Sequence, residues 1–70
     1  MYGVVTKYFN DRGYGFVLSN GITYFLHRKD LNGEYVETGC HVFFKDFKTN
    51  RRDYNAAILY VIETPEGKKK

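Results

Sequence analysis

Short runs of apolar residues that alternate with polar ones, separated by turn-forming residues, divide the chain into five segments. β-Branched and aromatic residues dominate these runs, and such residues favour strands that pack one face against a core. Between the second and third runs, Asn20 and Gly21 both tolerate a positive φ, which predicts a tight hairpin. The pattern predicts strands over residues 3–9, 14–19, 22–27, 41–47 and 54–62.

The rest of the pattern gives little indication of a helix. Ala56, Ala57 and Leu59 would permit a helix in the last run, but the run is short and its β-branched residues favour a strand. Residues 28–39 mix charges with glycines, show no sustained period and are predicted to form a long irregular connection. Five short strands without a useful helix predict an all-β fold that closes, or nearly closes, into a barrel, because closure leaves the fewest unpaired edges.

Alternation within the second and third strands collects four rings on one face. Tyr14 and Phe16 share a face of the second strand, because successive side chains point to opposite sides. Phe25 and His27 share a face of the third, so a hairpin would unite the four rings, here called the platform. The opposite faces carry Gly15, Val17, Tyr24 and Leu26. We expect the compact aliphatic residues of this set to line the interior and the platform to face solvent, although periodicity alone equally allows a sheet covered on both faces.

Composition favours exposed rings. A domain of 70 residues buries only about 60% of the surface of its unfolded chain, so its core must be thin. Aromatic residues make up 19% of the chain, with seven Tyr and six Phe. A thin core cannot enclose so many rings, and a cluster of exposed rings indicates a contact site.

The charge balance adds a preference for anionic partners. Eleven Lys and Arg against eight Asp and Glu give a net charge of +3, although Lys68 to Lys70 alone could account for this excess. Unpaired bases stack on exposed rings with a gain of about 1–3 kcal/mol each, and nearby cations would track the phosphates. The cations near the platform or in the last loop are Lys7, Arg12, Arg28, Lys48, Arg51 and Arg52.

Catalytic and metal chemistry find little support in the sequence. Cys40 is the single cysteine, which excludes an intramolecular disulfide, and with His27 and His41 it lacks the spacing of a metal-ligand pair. The acidic residues are scattered among turns, without the paired carboxylates of acid–base catalysis. We therefore expect no enzyme activity, no metal and no cofactor. No apolar run is long enough to span a bilayer, and the N-terminus lacks the plan of a secretory signal, so we expect a cytoplasmic protein.

Two motifs resemble those of bacterial-type cold-shock domains. The stretch KYFNDRGYGFV resembles the first ribonucleoprotein motif of that family, and TYFLH resembles the second. Two later stretches, ETGCHVFF and RRDYNAAIL, resemble further passages of the family, so that the likeness covers about residues 3–62. The resemblance implies a five-stranded antiparallel Greek-key OB-fold barrel over residues 1–64, followed by a basic tail, 65–70, that we expect to be disordered.

The resemblance also implies that the chain binds single-stranded RNA and DNA with low sequence specificity, as an RNA chaperone that affects transcription or translation. Tyr8 stands where the family has tryptophan, and Arg28 where it has an aromatic residue, so Arg28 would stack through its guanidinium. Tyr35 is a stand-in for the aromatic residue of the connecting loop. The predicted binding residues are Lys7, Tyr8, Phe9, Asn10, Arg12, Tyr14, Phe16, Phe25, His27, Arg28, Tyr35, Arg51 and Arg52.

Other functions and assemblies stay open at this stage. The aromatic surface would also suit a small protein-interaction module. A small nuclease is a third alternative, without a visible catalytic constellation. We expect a monomer, while the connection 28–39 could act as the hinge of a domain-swapped dimer.

Overall fold

The computed structural model describes residues 1–31, 33 and 35–64, apart from the side chain of Ile58. The strands are β1 (Tyr2–Phe9), β2 (Tyr14–Ser19), β3 (Ile22–His27), β4 (His41–Phe47) and β5 (Asn55–Glu63). All five predicted strands are confirmed to within one residue at each end, and the last run is a strand rather than a helix. The predicted disordered tail, residues 65–70, lies outside the described residues.

The strands form a closed barrel in the order β1-β2-β3-β5-β4. The β1–β2, β2–β3, β1–β4 and β4–β5 pairs are antiparallel. A short parallel pairing between β3 and β5, at Phe25 with Asn55 and Leu26 with Ala56, completes the barrel. The predicted all-β, OB-fold-like barrel is therefore confirmed.

Two tight turns set the register of the first three strands. Asn20 and Gly21 adopt φ values of 52° and 78°, as a two-residue hairpin turn with both φ angles positive requires. The turn between β1 and β2 ends at Gly13, whose φ is 77° and whose backbone N–H donates to the carbonyl of Phe9 at 2.8 Å. Both turns confirm the sequence prediction that these positions end strands.

The core lies inside the barrel and consists of compact residues. Val17 and Leu26, which the alternation assigned to the interior, are fully buried. Tyr24 is also buried, with its ring edge-on to Phe44 at 5.1 Å between centroids. The other fully buried side chains of the core are Val5, Val36, Cys40, Val42, Phe44, Ala56 and Leu59.

A bulge in β1 changes which side chains face the core. Val5 pairs with Val17 and Lys7 pairs with Phe16, so Thr6 is an extra residue on this side of the ladder. Beyond the bulge, Tyr8 pairs with Gly15 and faces inwards again. The bulge therefore leaves both Thr6 and Lys7 exposed on the outer face.

The connection from β3 to β4 contains a short helical turn that the sequence pattern did not predict. Arg28 to Asp30 form a 3₁₀ helix, where we expected irregular structure. The end of the connection is tied to β1, because Gly39 donates to the carbonyl of Val5 at 2.7 Å and Val5 donates to that of Cys40 at 2.9 Å. The backbone N–H of Glu37 also donates to the Cys40 thiol at 3.4 Å.

Candidate functional site

The four platform rings contact one another on the outer face of β2 and β3. Phe25 lies at their centre, with ring centroids 5.9 Å from Tyr14, 6.0 Å from Phe16 and 6.4 Å from His27. The Tyr14 and Phe25 planes are close to parallel, at 24°. Phe9 of β1 extends the cluster, with its ring 5.2 Å from that of Tyr14.

The platform faces solvent while its strands face the core with other residues. Tyr14, Phe16 and Phe25 are half-buried and His27 is exposed. The alternate residues Val17 and Leu26 are fully buried. The alternative of a sheet covered on both faces is therefore wrong for this hairpin, because the barrel has a single interior and the platform lies outside it.

Gly15 separates the two rings of β2 because no side chain fits there. A Cβ atom at this position would overlap the carbonyl oxygen of Lys7 and would lie 2.7 Å from Cδ1 of Tyr8. Gly15 itself has no positive φ, so the requirement is for space rather than for backbone conformation. The glycine lets β1 approach β2 closely and makes room for the inward-facing Tyr8 ring.

Gly13 has a second role, because it supports the side chain of Arg28. A Cβ atom on Gly13 would lie 2.9 Å from the guanidinium carbon of Arg28. The backbone N–H of Arg28 donates to the carbonyl of Gly13 at 2.8 Å. These contacts hold Arg28 against the β1–β2 turn, so it does not join the platform rings.

Tyr8 lies apart from the platform, although Tyr8 and the platform rings were both predicted to contact nucleic acid. Its ring is half-buried and packs against the core. Burial raises the pKa of Tyr8 above its usual value, while the positive charge of Arg28 lowers it. Tyr8, Asn10, Arg28 and Tyr35 line a separate open depression beside the β1–β2 turn. The predicted residues therefore form two neighbouring groups.

His27 is held in a defined orientation at the end of β3. Its Nδ1 accepts a hydrogen bond from the backbone N–H of Lys29 at 3.1 Å and so caps the 3₁₀ helix. In the neutral ring this leaves the proton on Nε2. His27 is exposed, so this N–H is available as a donor at the border of the platform.

The loop between β4 and β5 brings a cation onto the platform. The guanidinium carbon of Arg52 lies 3.9 Å from the centroid of the Phe25 ring. Arg12 and Arg52 line the same depression as Tyr14, Phe16, Phe25 and His27. Arg51 lines an adjoining depression that also contains Phe25 and His27.

The predicted cations are all exposed, and one of them is the cross-strand neighbour of a platform ring. Lys7 pairs with Phe16 on the outer face. Arg12 and Arg52 flank the platform, and Arg28 lies at the turn. The structure thus gathers positive charge around the rings that the alternation selected.

A second group of exposed rings was only partly found from the sequence. Tyr2 of β1, Phe43 of β4 and Tyr60 of β5 pair across three strands and form what we call the second row. Their exposed fractions are 70%, 38% and 47%, and the rings of Tyr2 and Phe43 lie 4.9 Å apart. Alternation alone places Phe43 and Phe47 on one face of β4, opposite Val42 and Phe44, where it allows either a minor core or a self-association patch. The neighbours of Phe43 depend on strand register, which the sequence does not reveal.

Among residues 1–31, 33 and 35–64, no three His, Cys, Asp or Glu side chains group closely enough to hold a metal ion. In that same part of the chain, none of the helices is long and apolar enough to cross a membrane.

No family model matches the sequence, and no curated protein matches it either. The likeness to cold-shock domains therefore depends on the motifs quoted above and remains a prediction.

Proposed function

We propose that this chain is a cold-shock-type domain that binds single-stranded RNA and DNA with low sequence specificity. The observation that carries the proposal is the contact cluster of four rings on the outer face of the barrel, with Arg12 and Arg52 at its border. Rings in this setting offer flat apolar surfaces to unpaired bases, which a duplex keeps stacked inside.

The chemistry of the surface supports little preference among bases. Every base has a π face, and stacking on a ring contributes about 1–3 kcal/mol without reading the hydrogen-bonding edge. Tyr14, Phe16 and Phe25 would each supply such a surface, and the Nε2–H of His27 would donate to a base or a phosphate. Lys7 and Arg12 would follow the backbone, which makes binding sensitive to salt.

The second depression extends this surface. Tyr8, Tyr35 and Arg28 would receive a further nucleotide next to Phe9 and Asn10. Arg28 is planar and can stack as well as pair with phosphate. In this proposal the chain holds RNA unpaired in the cytoplasm, as an RNA chaperone that affects transcription or translation, and no chemical step is involved.

A titration with oligo-dT and a duplex of equal length tests the proposal. We expect oligo-dT to quench tyrosine fluorescence and to bind more tightly than the duplex, because only the single strand can place bases on the rings. The chain has no tryptophan, so the signal comes from its tyrosines. Equal affinity for the two ligands would contradict the proposal.

The second row supports a different candidate function, the docking of another protein. Tyr2 and Tyr60 are among the most exposed rings of the described residues, and aromatic side chains dominate protein-binding hot spots. The dependence of binding affinity on salt concentration distinguishes the two functions. Nucleic-acid affinity should fall roughly tenfold or more between about 50 and about 200 mM salt, whereas an aromatic protein contact should change little.

A further inference from the structure

We infer that Arg52 covers the central stacking surface of the platform in the free protein and must leave it before a base can bind there. This inference rests on the proposed function and adds a step to it. The guanidinium carbon of Arg52 lies 3.9 Å from the centroid of the Phe25 ring. A stacked base would need the same space, because flat groups in contact are separated by about 3.5–4.0 Å. The base and the guanidinium therefore compete for one face of Phe25.

The backbone of Arg52 is fixed, so only its side chain can move aside. Its N–H donates to the hydroxyl oxygen of Thr49 at 3.1 Å. Its carbonyl accepts from the backbone N–H of Thr49 at 2.8 Å and from the amide of Asn55 at 3.2 Å. Asn55 is buried and also donates to the carbonyl of Phe47 at 3.0 Å, which ties the loop to β4. The loop thus returns the side chain to the same ring each time the ligand leaves.

The side chain has space to move into. Arg52 and Phe25 border an open depression that Thr23 and Tyr54 also line. They also border the depression that contains Arg12 and Tyr14. From either depression the guanidinium would lie next to a single-stranded nucleic acid that crosses Phe25, where it can pair with a phosphate.

The strengths of the two contacts predict that a base displaces Arg52 from Phe25, and that the displacement reduces the affinity of the base by a measurable factor. An exposed contact between a cation and a ring corresponds to a factor of about two to five in an equilibrium constant. A base stacked on an aromatic side chain corresponds to about five to 150. Arg52 therefore lowers the intrinsic stacking affinity at Phe25 by about two- to fivefold, and its charge offsets this loss only when phosphates are present.

A ligand without charge separates the competition between Arg52 and a base for Phe25 from the attraction of Arg52 to phosphates. Oligo-dT with methylphosphonate linkages keeps the bases and removes the phosphate charges. We expect Arg52→Gln to bind this probe about two- to fivefold more tightly than the unaltered chain. Arg51→Gln is the matched control, because it removes the same charge from the same loop and no described contact places Arg51 on a ring. It should not tighten binding of the neutral probe. Both variants should bind ordinary oligo-dT more weakly at low salt.

The contact can also be followed without any ligand. Protons on the side chain of Arg52 should be shifted upfield by the ring current of Phe25, and Phe25→Leu should remove the shift. Saturating oligo-dT should remove it as well. Thermal melting of each variant verifies that the barrel is intact.

Two results would overturn this inference alone. One is a neutral probe that binds Arg52→Gln no better than the unaltered chain, which would mean that Arg52 does not compete or that it stacks on the base. The other is an Arg52 signal that stays upfield when oligo-dT is bound. If the unaltered chain does not bind oligo-dT, or if Phe25→Leu binds it as well as the unaltered chain does, the proposed function itself fails.

Discussion

The platform and the second row are both made of exposed aromatic side chains, yet they differ in the charge around them. Arg12 and Arg52 line the platform, and Lys7 lies across the sheet from one of its rings. Around the second row, the charged groups on the outer face include Lys45 and Glu63, which carry opposite signs. The comparison teaches that exposed rings alone do not favour one proposed function over the other, and that the proposal of nucleic-acid binding depends on the positive charge beside the platform rings.

The two surfaces also differ in how the chain supports them. The platform depends on Gly15, which lets β1 approach β2 under the rings. The second row depends on ordinary pairing, in which Tyr2 opposes Phe43 and Phe43 opposes Tyr60. Cross-strand pairs of this kind form wherever rings share a register on one face. The platform is therefore more sensitive to small changes beneath it.

The largest effect should come from Gly15→Ala. The added Cβ would overlap the Lys7 carbonyl, a backbone atom that cannot rotate away, so we expect a loss of about 3 kcal/mol in the free energy of unfolding. Gly21→Ala is the control, because its Cβ meets no atom within 4 Å and only its φ of +78° is unfavourable, at about 1–2 kcal/mol. Urea unfolding measures both. Equal losses would show that strand spacing does not limit position 15.

The next effect concerns affinity. Phe25→Leu should weaken oligo-dT binding by about five- to 150-fold, since it removes the central stacking surface. Phe43→Leu makes the same change in the second row and should alter affinity by less than about twofold. Fluorescence titration of the two variants compares them directly. If Phe43→Leu lost as much affinity as Phe25→Leu, the distinction between the two surfaces would be wrong.

A smaller effect should appear in the dependence on salt. Arg12→Gln should reduce the slope of log K against log salt by about 0.7, the value for one phosphate contact on a single strand. Lys45→Gln removes the same charge from the outer face of β4, away from the platform, and should leave the slope unchanged. Titrations at several salt concentrations give both slopes. Equal changes would indicate that only net charge matters.

The smallest effect would come from adding charge to the second row. His41→Lys together with Glu63→Lys would add two cations and remove one carboxylate beside the second row, since these residues pair across β4 and β5. We expect a second, weak binding event for oligo-dT at low salt, detected as a stoichiometry above one in titration calorimetry. If the stoichiometry stays at one, rings and cations together are not sufficient, and the geometry of the platform matters as well.

Much of the fold was predictable because its signals are local. Asn20 and Gly21 fix a hairpin turn through their own backbone preferences, and alternation within a strand selects the residues that face the core. The placement of Val17 and Leu26 inside the barrel follows from these two rules. The parallel pairing of β3 with β5 is different, because it joins strands that are distant in sequence and carries no local signature.

The candidate site was predictable in its parts and less so in its arrangement. The platform rings follow from alternation within one hairpin. The contact of Arg52 with Phe25 depends on a loop held by Thr49 and Asn55, which no periodicity describes. The resemblance predicted that Tyr8 binds nucleic acid as the platform rings do, but the bulge at Thr6 and the space left by Gly15 turn its ring inwards. A bulge moves every later side chain to the opposite face, so one extra residue redirects the rest of a strand.

The reactivity of Cys40 can report how often the barrel opens locally. It is the only thiol in the chain, it is fully buried, and it lies where β1 meets the end of the long connection. An exposed thiolate attacks electrophilic thiol reagents, so the rate at which they react with this chain follows how often that junction separates. A strand exchange between two molecules would have to pass through the same separated state. The native cysteine can therefore time the first step of such an exchange without an engineered label.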